Sequence, residues 1–253
     1  MNIIKSKKKL GQHFLNNLSI AKNIVKEFNY KKNILEIGPG TGVLTNLLVK
    51  QEFIKFVAID IDSRCIKYLE QKTKFKKVTL INQDILKVDF RSLFKTNFSI
   101  IGNLPYNISS QILFKILENR NSIDTVVIML QKEVAERILS LNNSRKYGIL
   151  SVLIQTYFKV SLVLEVEPKF FEPSPKINSS VLKLKRNHLV DIGVDFNFYK
   201  KIIKGSFQSR RKTLRNALKN LNLNKNFHLD IFSKRAEQLS VNDFIWLANF
   251  LKN

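Results

Sequence analysis

A single cysteine, Cys65, occurs in the 253 residues. One thiol excludes an internal disulfide and fits a reducing compartment, so a cytoplasmic protein is expected. No apolar run approaches the length that spans a bilayer, and no membrane association is expected. The basic start Met1–Lys9 leads into no signal-peptide core. Histidine is scarce: His188 and His228 show no metal-ligand spacing, and Cys65 has no partner for such a site, so no metal is expected. No internal repeat or low-complexity segment appears. Acidic residues are the most telling shortage, 20 against 43 Lys and Arg, for a net charge of +23. That imbalance points to a polyanionic partner, with phosphate neutralisation supplying much of the affinity. Genome composition is the competing source of the excess, since the chain is also rich in Lys, Asn, Ile and Phe.

What is present has the size and hydrophobic content of one large domain plus a small one. After a basic arm and a first helix, with Ser19 as its expected cap, short apolar runs alternate with helical patterns. The expected strands are Ile34–Ile37, Phe56–Asp60, Val78–Asn82, Phe98–Asn103 and Thr125–Leu130. Helical patterns lie near Leu44–Lys50, Arg64–Lys72, Gln111–Leu117 and Lys132–Leu139. The alternation predicts an α/β fold, a parallel sheet with helices on both faces. Val152–Val166 and Ser179–Lys185 read as late strands. Strand signals then stop, so residues 1–188 are assigned to the α/β domain and residues 189–253 to a small all-α basic domain.

The first strand runs through Glu36 into Gly38-Pro39-Gly40-Thr41-Gly42. Closely spaced glycines at a strand-to-helix turn let the backbone approach a ligand. A dinucleotide fingerprint needs a further glycine at position 43, where this chain has valine. With an acid in the strand end, the loop suits a cationic, phosphate-free cofactor such as S-adenosylmethionine. Asp60 closes the second strand, where a carboxylate can accept ribose hydroxyls, and Asp84 follows the third, where it can accept from an adenine amine. Each acid alone is equally a capping or solvated aspartate; together with the loop they converge on one crevice.

Asn103-Leu104-Pro105-Tyr106 follows the fourth strand. The amide and the Leu104 carbonyl offer two acceptors on a turn stiffened by Pro105, and Tyr106 offers a ring face. That combination fits the exocyclic amine of a stacked purine, although four residues alone are equally an ordinary proline turn.

The chain closely resembles the ribosomal RNA small-subunit adenine dimethyltransferase family. The resemblance is carried by Gly11–Leu15, Glu36–Gly42, Gly102–Ser109, Leu130–Val134, Pro168–Ser179 and Phe207–Asn216. It implies a Rossmann-like S-adenosylmethionine-dependent methyltransferase sheet that dimethylates N6 of adenines in 16S rRNA. The implied substrate is two adjacent adenines in a 3′-terminal hairpin loop, within the immature 30S subunit; a monomer is expected. It further implies cofactor contacts from His13, Leu15, Gly38, Asp60, Asp84 and Asn103, joined by Glu36 and Gly40 of the loop. The target adenine is expected against Asn103, Leu104, Tyr106 and Phe171. Two departures stand out: Asp60 replaces the family's usual glutamate, and His13 occupies a position that is often asparagine.

In the basic C-terminal part, Arg211, Arg215 and Lys219 follow helical spacing as a ridge. With Arg210 and Lys212 beside them, these residues are expected to contact RNA phosphates. Ser240 and Asp243 resemble a capping box opening the last helix, and Trp246 is expected to pack between helices. The competing readings are a 23S rRNA adenine N6-methyltransferase of the antibiotic-resistance type, a DNA adenine methylase, and a non-catalytic ribosome-assembly factor on the same scaffold.

Overall fold

The computed structural model describes residues 4–28, 33–187, 191–221 and 229–252. The strands are β1 (Phe14–Leu15), β2 (Asn33–Ile37), β3 (Lys55–Asp60), β4 (Val78–Asn82), β5 (Phe98–Asn103), β6 (Ile123–Gln131), β7 (Phe158–Val166), β8 (Phe171–Glu172) and β9 (Ser179–Arg186). The helices are α1 (Leu18–Glu27), α2 (Thr45–Leu48), α3 (Ser63–Glu70), α4 (Phe90–Leu93), α5 (Ser109–Glu118), α6 (Lys132–Leu139), α7 (Ile149–Tyr157), α8 (Phe196–Gln208), α9 (Leu214–Leu218) and α10 (Val241–Lys252). By its internal contacts the chain forms two compact units, one of residues 1–135 and 160–186, the other of residues 136–159 and 187–253. The boundary expected at residues 188 and 189 lies outside the described residues.

The first unit is built on a seven-stranded sheet of order β4-β3-β2-β5-β6-β9-β7, with β1 and β8 forming a separate antiparallel pair. Strands β4, β3, β2, β5 and β6 run parallel, and β9 is antiparallel to β6. Every residue of β2 is buried, and so is all of β5 except Asn103 at its end. Strands this apolar need cover on both faces, which the intervening helices give. Each buried Ile or Leu contributes about 1.5–3 kcal/mol. At the margin of the sheet, β4 has one buried residue, Val78.

Helix α1 is capped by Asn17, whose side chain accepts from the Ile20 N–H at 2.9 Å, in place of the expected Ser19. The stretch Val152–Val166 is also corrected: residues 149–157 are helix and only Phe158–Val166 is strand. Helix α7 is almost wholly buried, so no polar face marks its period, and its β-branched run mimics a strand.

The second unit is helical apart from the start of β7. Helix α8 begins at Asp195, which accepts from the Asn197 and Phe198 N–H groups. Helix α10 opens with the expected box: Ser240 N donates to Asp243 Oδ2 at 2.8 Å, and Asp243 N donates to Ser240 Oγ at 3.2 Å. Trp246 departs from expectation. It is 47% exposed and stacks on Phe250, with ring centroids 5.2 Å apart.

Candidate active site

The register of the parallel strands brings the glycine loop, Asp60 and Asn103 to one end of the sheet. Ile37 pairs with Ile59 and Gly102, Asp60 with Asn82, and Asn103 with Met129. Chain order reverses between β2 and β5, and a crevice opens at the carboxyl ends of strands at such a switch. A cleft lies there, lined by Gly38, Gly40, Asp60, Asn103, Leu104 and Tyr106 together with the arm residues Leu10–Phe14.

The glycine loop after β2 holds Gly38, Gly40 and Gly42 at φ of 67°, 55° and 83°. L side chains rarely adopt this left-handed region. A Cβ on Gly38 would meet no atom closer than Asn103 O at 3.6 Å, so the bare glycine keeps open a space that a side chain would fill. On Gly40 the same atom would come within 2.9 Å of the Phe14 ring, which lies across the loop.

Asp60 is 7% exposed. Its Oδ2 accepts from Gly40 N at 3.2 Å and its Oδ1 from Asp62 N at 2.9 Å. Burial raises its pKa, opposed by these backbone bonds. A carboxylate accepts about four hydrogen bonds, so capacity remains for a ligand. Glu36 lies deeper and is not part of the cleft wall: it is buried, with Thr45 Oγ1 donating to its Oε2 at 2.8 Å. Burial pushes its pKa up to about 8. Asp84 caps the short turn Ile85–Lys87, its Oδ1 accepting from Leu86 N, which leaves Oδ2 for other donors.

Asn103 is oriented by the arm. Its Nδ2 donates to the His13 carbonyl at 2.8 Å, which leaves Oδ1 as the acceptor. Leu104 N donates to Met129 O, fixing the turn to β6. The Tyr106 hydroxyl is 2.5 Å from Ser179 Oγ, and its ring stacks on the His13 imidazole at 5.0 Å between centroids. His13 Nδ1 lies 2.7 Å from Pro173 O; a carbonyl only accepts, so Nδ1 carries the proton. Leu15 and Phe171 pair across β1 and β8 and are both buried in the apolar cluster. The structure therefore does not bring Phe171 to the cleft, and a stacking role requires it to leave the core.

In the second unit, the expected RNA-contacting residues divide. Arg210 donates to the Arg145 and Tyr147 carbonyls at 2.9 Å each and pairs with Glu237, which makes it a staple. Arg211 and Lys212 are exposed, as is Arg215. Helix α9 begins only at Leu214, so Arg211 precedes it and the expected three-residue ridge is not continuous.

The family described as Ribosomal RNA adenine dimethylase matches residues 3–253. A ribosomal RNA small subunit methyltransferase A from Cytophaga hutchinsonii is 46% identical over 99% of both chains. Another from Francisella tularensis subsp. novicida is 42% identical over 98% of both. The chain belongs to the ribosomal RNA adenine dimethylase family. Among solved structures, a dimethyladenosine transferase from Plasmodium falciparum superposes with a TM-score of 0.81, at 29% identity, over 95% of this chain and 97% of that one. The 23S rRNA methyltransferase ErmE shares the fold, with a TM-score of 0.68 at 22% identity over 92% of this chain and 98% of that one.

Membership in the ribosomal RNA adenine dimethylase family agrees with the cleft built from these motifs. Three contributors were not singled out from sequence: Phe14 over the loop, Gln12, and Asp62. No signal short of the fold pairs them with residues tens of positions away. Among the described residues, no group of three or more His, Cys, Asp or Glu could hold a metal ion, and no helix is long and apolar enough to cross a membrane. His188 and His228 lie outside the described residues.

Proposed function

We propose that this chain transfers methyl groups from S-adenosylmethionine to N6 of adenines in small-subunit ribosomal RNA, two per adenine, within the immature 30S subunit. The observation that carries the reading is the Asn103 carboxamide. With Nδ2 committed to His13 O, its Oδ1 is left as an acceptor beside the Leu104 turn.

The residues present fit the methyl donor. The glycine cradle at Gly38 and Gly40, the buried acceptor Asp60 and the amide of Asn103 share one cleft. Gly38 and Gly40 would hold its backbone-facing side, Asp60 its ribose and Asp84 its adenine. His13 would close it from the arm, with Leu15 behind it in the apolar cluster, while Glu36 braces the loop from below through Thr45. When bound there, the donor supplies an electrophilic methyl on a cationic sulfur.

An adenine amine is a poor nucleophile because its lone pair is delocalised into the ring. Accepting its two N–H groups on Asn103 Oδ1 and the Leu104 carbonyl draws the nitrogen toward tetrahedral geometry and exposes the lone pair. Catalysis is then mainly positioning and electrostatics. No strong base is needed, since the proton leaves afterwards from a cationic nitrogen. The base must be turned out of its stack and laid against Tyr106, which suits a hairpin loop whose bases are already partly unstacked. Residues 189–253 form the RNA-gripping domain, with Arg211, Lys212 and Arg215 toward phosphate and Arg210 shaping their support. The protein acts as a cytoplasmic monomer and needs no metal.

Labelled-methyl transfer tests the assignment with immature small subunits, large-subunit RNA and duplex DNA side by side. Label in dimethyladenine of small-subunit RNA supports it; label confined to large-subunit RNA or DNA refutes it.

A further inference from the structure

The buried carboxylate of Asp62 anchors the arm that orients Asn103. Its side chain is fully buried, and β3, which it follows, is separated by β2 from the strand that ends in Asn103. Arg64 grips it with two bonds, Nε to Oδ1 at 3.0 Å and a terminal nitrogen to Oδ2 at 2.6 Å, and Arg64 N donates to Oδ1 at 3.1 Å. Gln12 Nε2 donates to Oδ2 at 3.1 Å, and the Lys7 ammonium stands 3.5 Å from Oδ1. Gln12 is used twice, because its Oε1 accepts from Lys7 N at 2.8 Å and folds the arm back on itself. The next residue, His13, presents the carbonyl to which Asn103 Nδ2 donates.

These contacts form one connected path from the start of α3 to the end of β5: Arg64, Asp62, Gln12, the His13 carbonyl, Asn103. The Arg64 pairing holds the Asp62 carboxyl well below the usual carboxylate range, so the anchor keeps its charge through neutral pH. Downstream, β1 pairing with β8 and the His13–Pro173 contact fix the other side of the same peptide. Without the upstream anchor His13 O would pivot on that hinge, and the Asn103 amide would lose the donor bond that selects its rotamer.

We infer that Asp62 and Gln12 are positioning residues for methyl transfer, acting on Asn103 through the His13 carbonyl. The inference deepens the functional reading above and rests on it for its catalytic consequence, but its structural half stands on the protein alone. Neither residue touches the reacting atoms in this scheme. Their effect should therefore fall on kcat and on the Asn103 amide, with little change in the KM for RNA.

An exchange of polarity tests it. Gln12→Glu sets a carboxylate against the Asp62 carboxylate, and Asp62→Asn replaces one of the two acceptor oxygens by a donor, so Arg64 and Gln12 can no longer both keep their bonds to it. The double variant Asp62→Asn/Gln12→Glu restores a single amide–carboxylate bond with donor and acceptor exchanged. Two readouts are taken on full-length protein: kcat and KM with immature small subunits, and hydrogen exchange of the Asn103 side-chain amide in asparagine-labelled protein without cofactor. Each single variant should lower kcat by about tenfold or more and speed Asn103 exchange comparably, with KM within about threefold, and the double variant should recover both. The inference is overturned if the singles leave exchange and kcat at wild-type values, or if the double variant is no better than the singles. If wild-type protein transfers no methyl while the exchange pattern follows the path, the functional reading fails and the positioning link stands.

Discussion

A Cβ atom on Gly102 would lie 2.4 Å from the carbonyl oxygen of Ile37 on the neighbouring strand. Gly102 pairs with Ile37 where β5 meets β2, one residue before Asn103, so this close approach sets where the Asn103 amide emerges. Gly102→Ala forces the strands apart or shifts their register. Stability should fall by at least about 1–3 kcal/mol, the usual range for overpacking. Urea unfolding of the purified variant checks this; an unchanged midpoint would show that the pairing has slack.

Glu36 gives the fold a pH dependence. Its folded-state pKa of about 8 stands above the ordinary value of 4.5 because burial disfavours the charged form. Between those values the folded chain holds a proton that the unfolded chain has lost. Stability is therefore greatest below the unfolded pKa and falls as pH rises through the window, by up to about 1.4 kcal/mol per unit. Glu36→Gln should flatten the profile between pH 5 and 8. Denaturation midpoints across that range decide, and a slope equal to wild type would mean that Glu36 is ionised in the folded protein.

Gly40 is tested through the methyl donor. Gly40→Ala requires alanine at a φ of 55° and drives its Cβ toward Phe14. The left-handed conformation costs a non-glycine residue about 1–2 kcal/mol. Titration calorimetry with S-adenosylmethionine should show affinity weakened about tenfold or more. Equal affinity would remove the loop from the cofactor site.

Arg210 and its neighbours should separate by mechanism. Arg211→Ala/Lys212→Ala removes two exposed cations. RNA affinity should fall, and the slope of log affinity against log salt should become shallower by about one for each phosphate no longer neutralised. Arg210→Ala should instead lower the melting temperature, because the Arg145 and Tyr147 carbonyls lose their donor. Identical salt slopes for wild type and the double variant would place the RNA elsewhere.

Much of this architecture was legible because central parallel strands are continuous apolar runs. Ile34–Ile37 and Phe98–Asn103 stand out in sequence, as do the glycine loop and Asn103–Tyr106 at their ends. Ser240 and Asp243 were readable as a box because capping is local, three residues apart. Failures came where local rules lose to packing. Helix α7 is buried on all sides and hides its period, and Asn17 takes the cap that Ser19 could also have supplied. Phe171 sits in a motif of the resemblance, yet its side chain is spent on the core. The Asp62–Gln12 bond joins residues fifty positions apart, and no spacing rule reaches that far.

The most direct test is mass mapping of methylated nucleotides in immature small subunits after incubation with S-adenosylmethionine and either wild-type protein or Asn103→Ala. The expected result is dimethyladenine in small-subunit RNA with wild type, and turnover reduced by about a hundredfold or more in the variant, whose folding is otherwise normal. Undiminished turnover by Asn103→Ala, or methyl groups found only in another nucleic acid, would contradict the assignment.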